Sequence, residues 1–314
     1  MATGSEPHPL DAEIQAFIAA SEADYPADAA SRPVAEQRRF YDAMCARFRG
    51  PRPTGLTIGD ESVAGPAGPI PLRRYTPNGG GAPGLRVVYF HGGGFFLGGL
   101  ESHDDVCAEL AARGGVELVS IDYRLAPEHP FPAAHADAAA AVAALVQDGR
   151  RLILMGDSVG GGLAAGLSLT APSVGAVLIY PSLAAGRQTA PSYAEHAHAP
   201  LFTRADALKA VGLHAGDADP AALAADPRFA PLSADDVAAA PTTHVIVAEV
   251  DPVRDDGLMW VKRLDAAGVR AAAHVHAGLP HGCLRARHMS LKASAFFDAV
   301  VSALRSVIHD ARKI

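Results

Sequence analysis

The chain has 314 residues, of which 49% are hydrophobic and 19% charged, and a formal charge of −7. That is enough apolar material for a large core and excludes wholesale disorder. The acidic balance, without a basic stripe interleaved with aromatics, excludes nucleic acid as the main partner, and no apolar run approaches the roughly 18 residues that a membrane helix needs.

The first residues, Met1 to Glu6, lack a basic region followed by an apolar segment, so no secretory signal is read there. Cys45, Cys107 and Cys283 are too few and too scattered for a disulfide framework or a zinc site, and a reducing cytoplasm is the expected location. Leu10 to Ser21 carries Ile14, Phe17 and Ile18 at helical spacing. Pro33 to Phe48 repeats the pattern with Phe40, Met44 and Phe48. These two helices read equally well as a flap, a dimer arm or a packed decoration.

From Gly55 to Thr76 the pattern changes to short strand-like pieces, including Ile70 to Tyr75, and Pro77 to Gly84 is rich in turn formers. Leu85 to Phe90 reads as a buried strand ending in His91-Gly92-Gly93-Gly94-Phe95. A helix from His103 to Arg113 leads to the strand Val116 to Ile121, which ends in Asp122-Tyr123-Arg124-Leu125-Ala126-Pro127-Glu128. A helix from about Ala133 to Val146 precedes the apolar run Leu152 to Met155, then Gly156-Asp157-Ser158-Val159-Gly160 and a small-residue helix from Gly161 to Thr170. Val174 to Ile179 is a further strand. The segment from Leu183 to about Pro231 breaks the alternation and reads as an insertion over the carboxyl ends of the strands, where α/β folds bind ligands. Strand and helix resume with His244 to Ala248, Gly257 to Ala267, Ala271 to Val275 and Leu291 to Ile308. Apolar strands alternating with helices imply a parallel sheet covered on both faces.

G-x-S-x-G between a buried strand and a helix is the context of a nucleophile elbow, where the serine occupies a tight turn and its flanks need minimal side chains. Ser158 is the candidate nucleophile. A serine hydroxyl needs a base to take its proton and an acid to orient that base, in the chain order Ser, Asp or Glu, His. Asp251 follows the His244 strand and His281 follows the last strand. The HGGG loop supplies backbone N–H groups for the oxyanion, together with the N–H of the residue after the nucleophile, Val159.

These residues bear a resemblance to the hormone-sensitive-lipase-like group of α/β-hydrolases, the bacterial HGGG carboxylesterases. It rests on His91-Gly92-Gly93-Gly94-Phe95, Asp122 to Glu128, Gly156 to Gly161, Asp251-Pro252-Val253-Arg254-Asp255 and His281-Gly282, and covers about residues 84 to 285. The resemblance implies an α/β-hydrolase fold with a mostly parallel eight-stranded sheet, flanking helices and a helical cap. It implies N-terminal cap helices over 1–50, core over 51–183, a cap insertion over 184–225 and core again over 226–314. It assigns Gly93 and Gly94 as oxyanion donors and implies that two copies pair through a sheet edge. The implied activity is hydrolysis of short- to medium-chain carboxylic esters, small-molecule substrates, by Ser158, Asp251 and His281 with no metal or organic cofactor. An amidase, formamidase or lactonase on the same triad, and a non-catalytic receptor, are the competing readings. Val159 stands where the family usually has alanine, and Cys283 where it commonly has an aromatic; both bear on pocket shape.

Other residues receive quieter roles. Asp255 and Asp256 rival Asp251 but sit at a helix start, where carboxylates offset the dipole. Asp157 anchors its turn, and His91 braces the oxyanion loop. His274 and His276 share a strand face without a third metal ligand. His196 and His198 are expected to face solvent, Cys283 to be packed, and Asp122 to Glu128 to brace the catalytic floor. Pro200-Leu201-Phe202, with Leu208, Val211 and Leu213, is expected to form an apolar lid.

Overall fold

The computed structural model describes residues 9–26, 28–185 and 187–313. The reading of Met1 to Glu6 lies outside the described residues. Eight strands form one sheet: β1 (Leu56–Gly65), β2 (Gly68–Pro77), β3 (Leu85–Phe90), β4 (Glu117–Ile121), β5 (Arg151–Asp157), β6 (Gly175–Ile179), β7 (Thr243–Val250) and β8 (Ala271–Pro280). Their spatial order is β1-β2-β4-β3-β5-β6-β7-β8, with β2 antiparallel to both neighbours and every later pairing parallel. Ten α-helices accompany them among the described residues: α1 (Ala12–Glu22), α2 (Val34–Arg47), α3 (Asp104–Gly114), α4 (Ala133–Leu145), α5 (Val159–Ser168), α6 (Ser192–Glu195), α7 (Arg204–Ala215), α8 (Pro220–Leu223), α9 (Arg254–Ala266) and α10 (Leu291–Ala311).

The period-2 geometry of a strand sends alternate side chains to opposite faces. Val87, Tyr89, Ile153, Met155, Val177 and Ile179 therefore meet α3 and α10 on one face, joined by Ile14 and Phe17 of α1. Val88, Phe90, Leu152, Leu154, Ala176 and Leu178 meet α4, α5 and α9 on the other. With both faces covered, β3 to β6 are apolar almost throughout, which is why they were legible as continuous runs.

Two elements differ from expectation. The strand-like pieces from Gly55 to Thr76 are one long hairpin, in which Leu56 pairs with Pro77 and Gly65 with Gly68. Much of β1 is exposed, so its apolar signal is diluted by Gly59, Asp60, Glu61 and Ser62. β8 extends five residues beyond Val275 to Pro280, where the strand becomes buried just before His281.

α9 starts at Arg254, so Asp255 and Asp256 do sit in its first turn, and they do more than offset a dipole. Asp256 Oδ2 accepts the N–H groups of Leu183 and Ala184 at 2.8 and 2.9 Å and the Tyr193 hydroxyl at 3.0 Å. Asp255 accepts the Ser192 N–H at 2.9 Å, and the Ser192 hydroxyl donates to Pro252 O at 2.7 Å. The segment after β6 is thereby stitched to the loop that carries Asp251.

Burial pushes the Asp256 carboxyl up to about 7, reinforced by nearby Asp251 and opposed by its three donors. An unfolded aspartate titrates at about 4. Between about pH 4 and 7 the folded protein thus holds a proton that the unfolded chain has released, so this group's contribution to stability falls as pH rises. The melting temperature of Asp256→Asn relative to the parent protein should increase from pH 4 to 7 and then level off. A pH-independent difference would contradict this.

Candidate active site

The elbow is built by close approach of backbones. A Cβ on Gly160 would lie 2.0 Å from Phe90 O, and one on Gly156 would lie 2.4 Å from the carbonyl carbon of Gly160. Neither site admits a side chain. Ser158, between them, has φ 55° and ψ −123°, a strained conformation for a residue with a Cβ, and begins the turn into α5. The strain lifts its Oγ clear of the strand and aims it at His281.

His281 Nε2 lies 2.9 Å from Ser158 Oγ, and His281 Nδ1 lies 2.7 Å from Asp251 Oδ2. Asp251 is fully buried, and its other oxygen accepts the Val253 N–H at 2.9 Å. That second bond fixes the carboxylate plane. The ring of Phe202 stacks on His281 with centroids 4.3 Å apart, and Tyr180 packs against it at 4.6 Å. The three predicted residues thus meet as one hydrogen-bonded line at the carboxyl ends of β5, β7 and β8.

Gly93 and Gly94 follow β3 with φ values of 121° and 64°. A Cβ on Gly93 would lie 2.3 Å from Leu97 O. Val159 opens α5, where the first N–H groups of a helix have no partner within it. Asp157 reaches beyond its own turn: Oδ1 accepts the Gly92 N–H at 2.9 Å and the Tyr89 hydroxyl at 2.8 Å. Burial opposes ionisation of Asp157, but His103 at 3.4 Å and the Tyr89 hydroxyl hold its carboxyl below the usual range. One carboxylate therefore links the elbow to the glycine loop.

His91 braces that loop, as its position suggests. Its ring stacks on Tyr123 at 4.3 Å, and the Tyr123 hydroxyl donates to His91 O at 2.6 Å. Burial, with His103 adding to it, pushes the His91 imidazole down to about 3, so it stays neutral. Asp122 to Glu128 is a braced turn: Arg124 forms a two-point pair with Asp137, while Arg38 of α2 holds Glu128, Ala126 O and Phe96 O. Cys283 is buried in the core, where burial pushes its thiol well up.

A cavity of about 520 Å3 opens over Ser158 and His281. Phe17 of α1, Tyr41 and Met44 of α2, and Leu201 and Phe202 before α7 line it. The N-terminal helices are accordingly packed elements that also wall the cavity. Lys209 of α7 closes the seam between the two walls, donating to Ala30 O at 2.8 Å and Gln37 Oε1 at 2.7 Å. Leu208 does not belong to the lid: it is 51% exposed, because the face of α7 that meets the cavity carries Asp206, Lys209 and Ala210. His196 is buried beside Arg254 at 3.0 Å rather than facing solvent, whereas His198 is exposed. His274 is exposed and stacks on His244, and no trio of metal-ligating side chains occurs among the described residues.

His103, Arg285 and Tyr41 were not legible as site residues. Arg285 is buried at the cavity floor, donating to Ser102 O at 2.7 Å and Tyr41 Oη at 2.9 Å. The partners are 183 and 244 residues apart in the chain, and no motif marks them.

Comparison with known proteins agrees with the geometry. Residues 87–285 match a family model described as alpha/beta hydrolase fold. The chain is 37% identical over 279 residues to Esterase LipI of Mycobacterium tuberculosis, covering 81% of this chain and 83% of the relative. It is 34% identical to Carboxylic ester hydrolase LipN of the same organism, covering 87% and 76%. An ester-hydrolase from the metagenome of Lake Arreo, solved with a derivative of bipyridine phosphonate, superposes with a TM-score of 0.86 at 30% identity, covering 96% and 99%. A serine on an elbow, a histidine and a buried aspartate in line with it, and relatives that cleave esters place this chain in one family: it belongs to the hormone-sensitive-lipase-like carboxylesterases of the α/β-hydrolase fold.

Proposed function

We propose that Ser158, His281 and Asp251 are the nucleophile, base and orienting acid of this serine carboxylesterase. The observation that carries the assignment is the unbroken line from Asp251 Oδ2 through the imidazole to Ser158 Oγ. With Nδ1–H donated to Asp251, Nε2 is left to accept the serine proton. Ser158 Oγ attacks the ester carbonyl as that proton moves to His281, and Asp251 offsets the imidazolium charge. The N–H groups of Gly93, Gly94 and Val159 stabilise the oxyanion. The imidazolium then protonates the departing alcohol, and water repeats the sequence to release the acid. The aligned triad supports catalysis over a receptor, which would gain nothing from this alignment.

Segments 1–50 and 184–225 act as the cap over a core formed by 51–183 and 226–314. The cavity wall made by Phe17, Tyr41, Leu201 and Phe202 supports this division. Substrates are short- to medium-chain esters. The three cysteines, all unpaired and buried, support a reducing compartment such as the cytoplasm. β8 ends the sheet with Val275 52% exposed, which supports pairing of two copies along that edge. Sedimentation at micromolar concentration checks this, and a monomer there would refute it.

Ser158→Ala should lower kcat for p-nitrophenyl acetate by about 10⁶ without loss of fold. Turnover above roughly a tenth of the parent rate in a folded sample would defeat the assignment. Asp251→Asn should cost about 10⁴ in kcat, because the imidazole loses its tautomer. Asp255→Asn, which disturbs only the Ser192 and Arg254 contacts, should cost far less. Reversed effects would move the acid to Asp255.

A further inference from the structure

The space around Ser158 has two unequal compartments. The cavity of about 520 Å3 includes His281 in its lining and does not include Val159. A second compartment of about 20 Å3 includes Val159 and does not include His281. They meet at Ser158, Gly94, Phe202 and Ala210.

Tetrahedral geometry decides which part of an ester enters each. The reacting carbon carries four groups once the Oγ–C bond has formed. Ser158 Oγ is one, and the oxyanion, turned to Gly93, Gly94 and Val159, is the second. The leaving oxygen is the third and must face His281 Nε2, which supplies its proton as the C–O bond breaks. The alcohol side therefore extends past His281 into the large cavity. The fourth group, the acyl substituent, is turned away from His281, and the space there is the small compartment.

That compartment cannot lengthen readily. Its far wall is a stack of rings: Phe95 lies 3.7 Å from His214 at 11°, and His214 lies 5.4 Å from Phe229 at 4°. Phe131 closes against both His214 and Phe229 edge-on. Burial, with His135 adding to it, pushes the His214 imidazole down to about 3, so it packs as a neutral ring. The isopropyl group of Val159 narrows the entrance. A volume of about 20 Å3 is room for a group the size of one water or methyl.

We infer that this esterase is selective for a very short acyl group, acetyl, carried on a bulky apolar alcohol. The inference rests on the catalytic roles proposed above for Ser158 and His281 and adds which side of the ester bears the bulk.

Isomeric esters test it without a change in composition or in alkoxide basicity. Hexyl acetate and ethyl hexanoate have the same formula, as do benzyl acetate and methyl phenylacetate. The parent protein should hydrolyse hexyl acetate with a kcat/KM about a hundredfold above that for ethyl hexanoate, since four extra methylenes are buried only on the alcohol side. Benzyl acetate should exceed methyl phenylacetate in the same direction. Phe229→Ala should raise kcat/KM for ethyl hexanoate relative to that for hexyl acetate by about tenfold or more, because it deepens the acyl side. Should Phe229→Ala fail to fold, Val211→Ala, which lines the same small compartment, should give a smaller gain of the same sign. Equal or faster turnover of ethyl hexanoate by the parent protein would overturn the assignment of compartments and leave the triad intact. No turnover of either isomer or of p-nitrophenyl acetate would remove the catalytic reading and this assignment with it.

Discussion

The structure depends on how closely two backbones approach at the end of β3. Phe90 O and His91 O lie where a Cβ of Gly160 would be, at 2.0 and 2.6 Å. Any residue other than glycine would drive α5 away from the sheet. With α5 displaced, Ser158 would lose its conformation and the Val159 N–H would leave the position it shares with the glycine loop. Asp157 completes the lock, because the carboxylate beside the nucleophile accepts the N–H of Gly92. Ser158 and the N–H groups of Gly93, Gly94 and Val159 are thereby fixed relative to each other by contacts that involve no substrate, and the roles proposed for them in electrostatic stabilisation of a transition state require such prior placement.

A second set of interactions fixes Asp251 and the surroundings of His281. Asp251, on the loop after β7, and Asp255 and Asp256, in the first turn of α9, are near neighbours in the chain, yet each carboxylate has a different partner: His281, the Ser192 N–H, and the Leu183–Ala184–Tyr193 trio. Asp251 alone is within reach of the imidazole, while the other two anchor the segment that leads to Phe202. The segment that leads to the ring stacked on His281 is therefore held by the start of the helix that directly follows Asp251. Arg285 plays a comparable part at the floor, tying α2 through Tyr41 to the loop before α3 through Ser102.

What was legible in the sequence follows from how local each constraint is. The elbow, the HGGG loop, Asp251 and His281 were readable because their chemistry demands particular residue types within a few positions of a strand end. The buried strands were readable because burial on both faces leaves only apolar residues. β1 was not, since an exposed hairpin strand carries no apolar alternation, and its pairing is set by its partner. Leu208 was misplaced because α7 has almost no apolar asymmetry around its axis, so its sequence does not reveal which face its neighbours cover. The second role of Asp256 depends on Leu183, 73 residues away, and local pattern contains nothing of it.

The docking of the first helix on the last has a consequence for the order of assembly. Ile14 and Phe17 are buried in the same cluster as Leu284, Phe296 and Val300. Glu13 Oε2 accepts the Leu291 N–H, 278 positions away, and Asp11 pairs with Lys292. On a ribosome α1 emerges early and Phe48, whose ring meets Phe17 at 4.8 Å, follows soon after, but the polar partners of Asp11 and Glu13 are translated at least 278 positions later. At about 5–20 residues per second that interval is on the order of tens of seconds. Through it the first turn of α1 lacks the Leu291 N–H and the Lys292 ammonium that tie it down in the folded protein.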